Sequence, residues 1–269
     1  MNRNVRIEAL VLYVKENAQD NRSVCLLTKA GLEWATLFGG PKSKLRAAVS
    51  PYNSGVAYIY KNQEKNSAKI TDFDALKCHP TFRESLFKSF AAALAGEIVF
   101  RSSAAGSPEQ AFVLLCGFLD GMDLLNEEAA RLGLLRFLWR YLELLGVRPD
   151  LSFCGRCDKE FDLGDGASIF TQEALQSSLG GKFFLYSQAE NRFVCSDCFL
   201  PQEAGSRLSE RSLCYLKLSS QNDSQSMARA RKAVLGGRDY FELKALLFQL
   251  TESALGMKLK TLESGKGVL

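Results

Sequence analysis

Residues 5–38 read VRIEALVLYVKENAQDNRSVCLLTKAGLEWATLF, three short apolar runs separated by polar residues and a glycine. Alternation of apolar and polar residues is typical of strands, because successive side chains point to opposite faces. The first run places one alternating set on a single face: Ile7, Ala9, Val11 and Tyr13. The third run does the same with Leu32, Trp34, Thr36 and Phe38. This stretch therefore predicts three consecutive strands at the start of the chain.

Two more strand patterns follow, GVAYIY at residues 55–60 and AKITDFDAL at residues 68–76, separated by the polar turn KNQEKNS. Five short strands in so few residues favour a small closed barrel, and the five-stranded OB-fold is a common design of that size. An SH3-like barrel is the alternative that the pattern leaves open. We predict an N-terminal OB-fold domain over residues 1–79.

After His79 and Pro80 the apolar spacing becomes helical. Helices are predicted over residues 82–101, from Pro108 onward, and over residues 127–145, 209–218 and 240–257. Strands first and helices later indicate an α+β chain. We predict a helical domain made of residues 80–149 and 201–269, interrupted by an inserted metal-binding element at residues 150–200.

The composition is that of an ordinary globular protein, with 46% hydrophobic and 24% charged residues. No apolar run approaches the roughly 20 residues that span a bilayer, and no signal-peptide pattern opens the sequence. We therefore expect a cytoplasmic protein with no membrane partner. Residues 1–79 carry 12 basic and 7 acidic side chains, whereas the rest of the chain is nearly balanced. A polyanionic partner is thus expected at the N-terminal third.

Two CxxC pairs, Cys154-Gly-Arg-Cys157 and Cys195-Ser-Asp-Cys198, stand 37 residues apart. Two such turns supply four thiolates, the tetrahedral set that structural zinc prefers, and they leave no open position for a substrate. A redox role for either pair is the rival interpretation. Residues 150–200 carry 8 acidic and 4 basic side chains, a balance that repels phosphates. We predict one structural Zn²⁺ per chain, held by Cys154, Cys157, Cys195 and Cys198.

The order of these features resembles the bacterial RecO family of recombination mediators over nearly the whole chain. The matching segments are IEALVLYV, VCLLTKAG and GGPKSKLRAAVSPYN near the N-terminus, then YLELLGVRPDLSFCGRC and FVCSDC. The resemblance implies an OB-fold, a helical domain and a zinc element, without enzymatic activity; the intact cysteine quartet implies the zinc-bearing type. It also implies binding of single- and double-stranded DNA, annealing of complementary strands, and nucleoid association. With the partner RecR, such proteins help to load RecA onto DNA coated by single-stranded-DNA-binding protein, whose acidic C-terminal tail they engage.

The candidate DNA contacts lie on the barrel. The loop cations Lys42, Lys44 and Arg46 follow a glycine pair and can track a phosphate backbone, with Lys29 and Arg6 as nearby possibilities. Tyr52 is the candidate for base stacking, and Tyr58 and Tyr60 are also available. The alternative is a solvated charged loop with tyrosines in the barrel wall.

A second candidate site is the pair Arg136 and Arg140, one helical turn apart beside apolar neighbours such as Phe137. Two arginines next to an apolar surface suit the acidic, aromatic-ended tail of a partner protein. A solvated helix face with Arg140 paired to Glu143 is the alternative.

A competing function is a transcription regulator that uses the zinc element as a scaffold, with ARARKAVLGGR at residues 228–238 as its basic recognition helix. An enzyme is not indicated. His79 is the only histidine, the sequence shows no constellation of serine, cysteine and carboxylate around it, and no phosphate-binding GxxxxGK[ST] motif occurs.

Overall fold

The computed structural model describes residues 3–17, 20–40, 43–163, 170, 182–200 and 202–269. Its N-terminal part contains five strands and one short helix. These are β1 (Asn4–Glu16), β2 (Arg22–Thr28), β3 (Gly31–Leu37), α1 (Lys44–Ala48), β4 (Ser54–Asn62) and β5 (Ser67–Lys77). The strands form a closed barrel in the order β1-β2-β3-β5-β4, in which β3 and β5 run parallel. That closure is the OB-fold arrangement, so the predicted α+β fold class with an N-terminal barrel is confirmed.

The barrel interior is filled by small and branched side chains, one alternate set from each strand. Ala9 and Val11 share the inward face, but the β1–β2 register shifts between Val11 and Tyr13, and Tyr13 is 46% exposed. Strand β3 contributes Ala35 and Leu37 to the core. The alternating set that contains Trp34 and Phe38 therefore faces outward, and both rings are about half exposed.

Three long helices follow a short 3-10 turn at Pro80–Arg83: α2 (Leu86–Arg101), α3 (Pro108–Leu124) and α4 (Glu127–Leu144). Helix α2 begins later than predicted because the Ser85 hydroxyl caps it, accepting from the Lys88 N–H at 3.3 Å. Between α2 and α3, Ser103, Ala104, Ala105 and Gly106 all have positive φ (51°, 63°, 53° and 71°), a left-handed turn that links the two helices.

The remaining elements are β6 (Phe183–Ser187), β7 (Arg192–Cys195), a 3-10 turn (Ser196–Cys198), β8 (Gly205–Ser209), α5 (Glu210–Ser220), α6 (Ser224–Lys232), α7 (Gly237–Leu255) and α8 (Lys260–Ser264). Strands β6–β8 form a three-stranded sheet in the order β7-β6-β8. Helix α6 begins at Ser224 because the Asp223 carboxylate accepts from the Ser226 N–H at 2.8 Å and caps that helix.

Contacts divide the chain into two compact units, Met1–Ala130 with Met257–Leu269, and Arg131–Gly256. In the first unit, the Glu97 carboxylate of α2 accepts from the N–H groups of Lys260 and Thr261 at 3.2 and 2.9 Å, which anchors α8. Lys260 is thus the first residue of an anchored helix. The division at residues 79, 149 and 200 remains a prediction. Among the described residues, no helix has the length and apolarity required to cross a membrane.

Candidate metal centre and nucleic-acid interface

The four paired cysteines converge in the second unit. The sulfur atoms of Cys154, Cys157, Cys195 and Cys198 all lie within 4.8 Å of one another, and the Cys157 and Cys195 sulfurs are 3.8 Å apart. A zinc ion with Zn–S distances of about 2.3 Å requires sulfur–sulfur edges of roughly 3.8 Å in a tetrahedron. The cluster therefore fits a metal ion of that size. Four cysteine ligands complete a tetrahedron and leave no coordination position open for water or a substrate.

Local backbone bonds shape the first cysteine turn. The Cys154 N–H donates to the Lys159 carbonyl at 2.9 Å, and the Asp158 N–H donates back to the Cys154 carbonyl at 3.1 Å. Asp158 has a φ of 54°, which closes this tight turn. The second pair lies where β7 ends, with Cys195 as its last residue and a single 3-10 turn bringing Cys198 around. Each CxxC pair is thus held by its own turn.

Arg156, inside the first CxxC pair, ties the two turns together. Its guanidinium donates to the Cys198 carbonyl at 2.8 Å, forms an ion pair with Glu190 at 2.8 Å, and also pairs with Glu203. The Glu203 and Glu190 carboxylates raise the pKa of Arg156. Sequence reasoning missed this residue, since Glu190 and Glu203 lie more than thirty positions away.

The polypeptide favours a thiolate at one corner of the cluster. Burial opposes ionisation of Cys154, but N–H donors from Cys195, Cys157 and Arg156 outweigh it and lower its pKa to about 6. The neighbouring Cys157 and Cys195 sulfurs raise the pKa of Cys198 to about 12. Four close thiols thus resist ionising together unless a cation joins them, which suits a bound metal.

The predicted DNA-binding loop is only partly described. Lys42 lies outside the described residues. Lys44 is the first residue of α1 and is exposed. The Arg46 side chain is 12% exposed and pairs with Glu16 at 2.6 Å, while it also donates to the Asp20 and Gly39 carbonyls. Arg46 therefore fastens α1 to the end of β1.

The other predicted barrel cations differ in their surroundings. Lys29 pairs with Glu8 at 2.9 Å, and this carboxylate raises the pKa of Lys29. Arg6 is exposed on β1, directly opposite Tyr58 of β4. The Tyr58 hydroxyl donates to Asp74 at 3.0 Å. Arg6 and Lys44 are thus the predicted contacts that stand exposed without a described ion pair.

Tyr52 packs inside the first unit. A Cβ placed on Gly96 of α2 would lie 3.0 Å from the Tyr52 ring, and burial raises the pKa of the Tyr52 phenol to about 12. The Tyr52 N–H donates to the Val11 carbonyl at 2.7 Å. This ring therefore packs where barrel and helix meet and is only partly exposed, and the stacking role stays a prediction.

Arg136 and Arg140 lie one turn apart on α4, as predicted, and both reach main-chain carbonyls. Arg136 donates to the Tyr215 hydroxyl at 3.1 Å and the Ala230 carbonyl at 3.3 Å. Arg140 donates to the Ser219 carbonyl at 2.9 Å and the Gln221 carbonyl at 2.7 Å. Arg140 thus satisfies carbonyls at the end of α5, which would otherwise be unpaired. Glu143 pairs with Arg148 at 2.6 Å, rather than with Arg140.

His79 is positioned by two hydrogen bonds. Its Nδ1 lies 3.0 Å from the Tyr52 carbonyl and its Nε2 lies 3.0 Å from the Asp120 carboxylate, and its side chain is 4% exposed. The ring also stacks on Phe82. Both nitrogens are occupied within the first unit, which gives the histidine a structural role.

A five-stranded barrel, long helices and a four-thiol cluster define an α+β protein with a cysteine-rich metal-binding element. Residues 83–263, more than half of the chain, match the family model described as "Recombination protein O C terminal". A similar protein is the DNA repair protein RecO of Heliobacterium modesticaldum (strain ATCC 51547 / Ice1), 28% identical over 163 residues. That match covers 60% of this chain and 58% of the relative, less than two thirds of its length. The chain belongs to the RecO family.

Proposed function

We propose that this protein is a non-enzymatic DNA-binding recombination mediator in DNA repair. The observation that carries the proposal is the family match over residues 83–263. The five-stranded barrel that precedes this region is of the kind that binds nucleic acids, which supports the same proposal. It would bind single- and double-stranded DNA and anneal complementary strands. With RecR, it would help to load RecA onto DNA coated by single-stranded-DNA-binding protein. A cytoplasmic, nucleoid-associated location follows from that role.

The experiment that tests this function is strand annealing without ATP, with and without single-stranded-DNA-binding protein on the strands. A mediator accelerates annealing of both bare and coated strands, whatever their sequence. Protection of one duplex sequence with no annealing would instead favour the regulator. No observation favours that alternative: α6 ends at Lys232, within the proposed recognition helix, and its Ala230 is fully buried.

The proposed phosphate contacts are tested by the double variant Lys42→Glu with Lys44→Glu. Each lost phosphate contact reduces the slope of log affinity against log salt by about 0.7 for single strands. The double variant is therefore expected to bind more weakly and to lower that slope by roughly 1.4, with its metal content unchanged. Lys159→Glu makes the same kind of charge change on an exposed side chain in the acidic cysteine segment and should leave the slope unaltered. An unchanged slope in the double variant would contradict the loop assignment.

The metal at the cysteine cluster is proposed to be Zn²⁺ with a structural role. Four thiolates at tetrahedral spacing suit zinc and leave no site for a bound water, so the ion would fold this element without taking part in chemistry. Cys154, Cys157, Cys195 and Cys198 would hold it, and Arg156 would keep the two turns aligned. Elemental analysis of the purified protein identifies the ion.

A further inference from the structure

The outer surface of the barrel carries a cluster of exposed aromatic rings that none of the assigned sites uses. Tyr13, Trp34 and Phe38 are 46%, 48% and 49% exposed, and the half-buried Phe100 of α2 adjoins them. We call these four residues the aromatic face. Three of the rings are in mutual contact, and Phe38 follows Trp34 by four positions in the sequence. Exposed aromatic surface of this extent is unusual on a protein that has no partner for it.

Three of these rings support one another. Trp34 contacts Tyr13 and Phe100 edge-to-face, with ring centroids 6.3 and 6.1 Å apart, and Tyr13 lies 5.8 Å from Phe100. Such packing limits rotation of the Trp34 indole while about half of its surface stays in water. The ring is therefore held in place before any ligand arrives, which reduces the entropy lost on binding.

The strand register explains why the aromatic face exists. Tyr13, Cys25 and Trp34 are direct cross-strand neighbours on β1, β2 and β3, so they project to the same side of the sheet, where Cys25 is covered and the two rings are about half exposed. The register shift after Val11 turns Tyr13 to this side. Phe38 follows Leu37, the last residue of β3.

The surface beside the aromatic rings is basic. The next row of cross-strand neighbours is Lys15, Ser23, Thr36 and Lys69, which continues across four strands and contains no carboxylate. The Lys69 ammonium lies 5.1 Å from the centre of the Phe38 ring. Glu16, next to Lys15, is engaged by Arg22 and Arg46 at 2.9 and 2.6 Å. Exposed rings flanked by cations are what a single strand requires, bases for the rings and phosphates for the lysines.

We infer that the aromatic face is a stacking platform for the unpaired bases of a single-stranded nucleic acid, with Lys15 and Lys69 on its phosphates. This inference rests on the proposed DNA-binding function and moves base contact from Tyr52 to Trp34 and Phe38. A second copy of the chain is a poorer occupant, because a symmetric contact would bring the same lysines together. Paired bases present no free faces, so the platform favours single strands over duplex.

Intrinsic fluorescence tests the platform directly. The chain has two tryptophans, and Trp139 is fully buried in the second unit whereas Trp34 is 48% exposed. Titration with an unstructured thymidine oligonucleotide should quench Trp34 emission, because a base stacked on indole quenches it. In Trp34→Phe protein, the remaining Trp139 emission should not respond. Binding of the oligonucleotide with no quenching in the wild type would overturn the inference.

Affinity measurements are a second test of the stacking platform. Loss of one stacking ring lowers affinity for single strands by about fivefold or more. Trp34→Ala and Phe38→Ala are each expected to show this loss, with little change in salt slope. Phe241→Ala is the matched control, since Phe241 is 61% exposed in the second unit and should leave affinity unaltered. An oligomer of abasic phosphodiesters should bind wild type and Trp34→Ala equally.

The outcomes separate this inference from the proposed function. If the wild type binds no oligonucleotide, both ideas are wrong. If it binds the thymidine oligomer but Trp34→Ala binds as tightly as wild type, DNA binding stands and the platform is wrong. If Trp34→Ala has a markedly lower Tm, its affinity is not informative. Quenching of emission by the oligonucleotide in the wild type, and its absence in Trp34→Phe, then test the stacking platform.

Discussion

Replacing Arg140 by methionine tests whether this residue holds the second unit together or is available to a partner. The substitution keeps much of the aliphatic stem and removes both hydrogen bonds, to the carbonyls of Ser219 at 2.9 Å and Gln221 at 2.7 Å. Ser219 is 1% exposed, so its carbonyl would lose a partner that water does not readily replace. Gln221 is exposed, and water takes over its bond.

The expected cost follows from those two bonds. A hydrogen bond to a charged group contributes about 1.5–3 kcal/mol, and a buried carbonyl left unpaired costs a similar amount. Because only the Ser219 carbonyl is left buried without this hydrogen bond, we expect a loss of about 3 kcal/mol in the free energy of unfolding. At about 2–4 °C per kcal/mol, this corresponds to a fall of roughly 6–12 °C in Tm.

The assay uses Trp139, whose indole N–H donates to the Ser220 hydroxyl at 2.8 Å, next to the Arg140 bonds. In a Trp34→Phe background, Trp139 is the remaining emitter, and its emission reports unfolding of the second unit. Arg238→Met is the matched control, since the Arg238 side chain is 83% exposed and pairs with Glu242, and exposed pairs contribute about 0–1 kcal/mol.

The same variants are titrated with an acidic, aromatic-ended tail peptide. If Arg140 binds a partner, its replacement should lower the affinity for the peptide and leave Tm near that of the wild type. A fall of less than about 2 °C for Arg140→Met would refute the structural assignment. Weaker peptide binding in that unperturbed protein would support the tail site predicted from the sequence.

Three further outcomes are expected. Cys157→Ser should lose bound metal and melt earlier, whereas the exposed Cys78→Ser should keep both properties, as elemental analysis and melting will show. Gly96→Ala should destabilise by about 1–2 kcal/mol because its Cβ would crowd Tyr52 at 3.0 Å, whereas Gly117→Ala, with open space, should stabilise by about 0.5–1 kcal/mol in urea unfolding. For Glu16, bonds from Arg46 and Arg22 outweigh desolvation and lower the pKa below 4.5. Its stabilisation is therefore full above pH 4.5 and lost as the pH falls through the folded-state pKa, so wild type and Glu16→Gln should converge in acid; a constant difference would contradict this.

The barrel and the long helices could be predicted because their signals are local. Alternation placed five strands, and helical spacing placed α4 within a residue of its observed end at Leu144. The cysteine cluster was predictable for a similar reason, since each CxxC pair fixes its own turn. The start of α2 at Leu86 was placed less well, because a capping serine sets it.

The partners of the arginines could not be predicted. Arg46, Arg140 and Arg156 each bind atoms at least twenty positions away in sequence, which only the folded chain brings near. An arginine has five donors, and a sequence pattern does not say whether carbonyls or a ligand will accept from them.

The basic excess of the first 79 residues is therefore not confined to the loop that contains Lys44. Arg46 and Lys29 are counted as cations, but each lies against its own carboxylate, Glu16 or Glu8. Such pairs contribute little net field, so the excess is carried by exposed cations without a described ion pair, including Lys15 and Lys69 beside Trp34. These lie across the strands of one barrel surface rather than along one loop. A single strand crossing that surface would meet phosphate partners and stacking rings together, and the sequence separated them because a barrel joins strands that are distant in the chain.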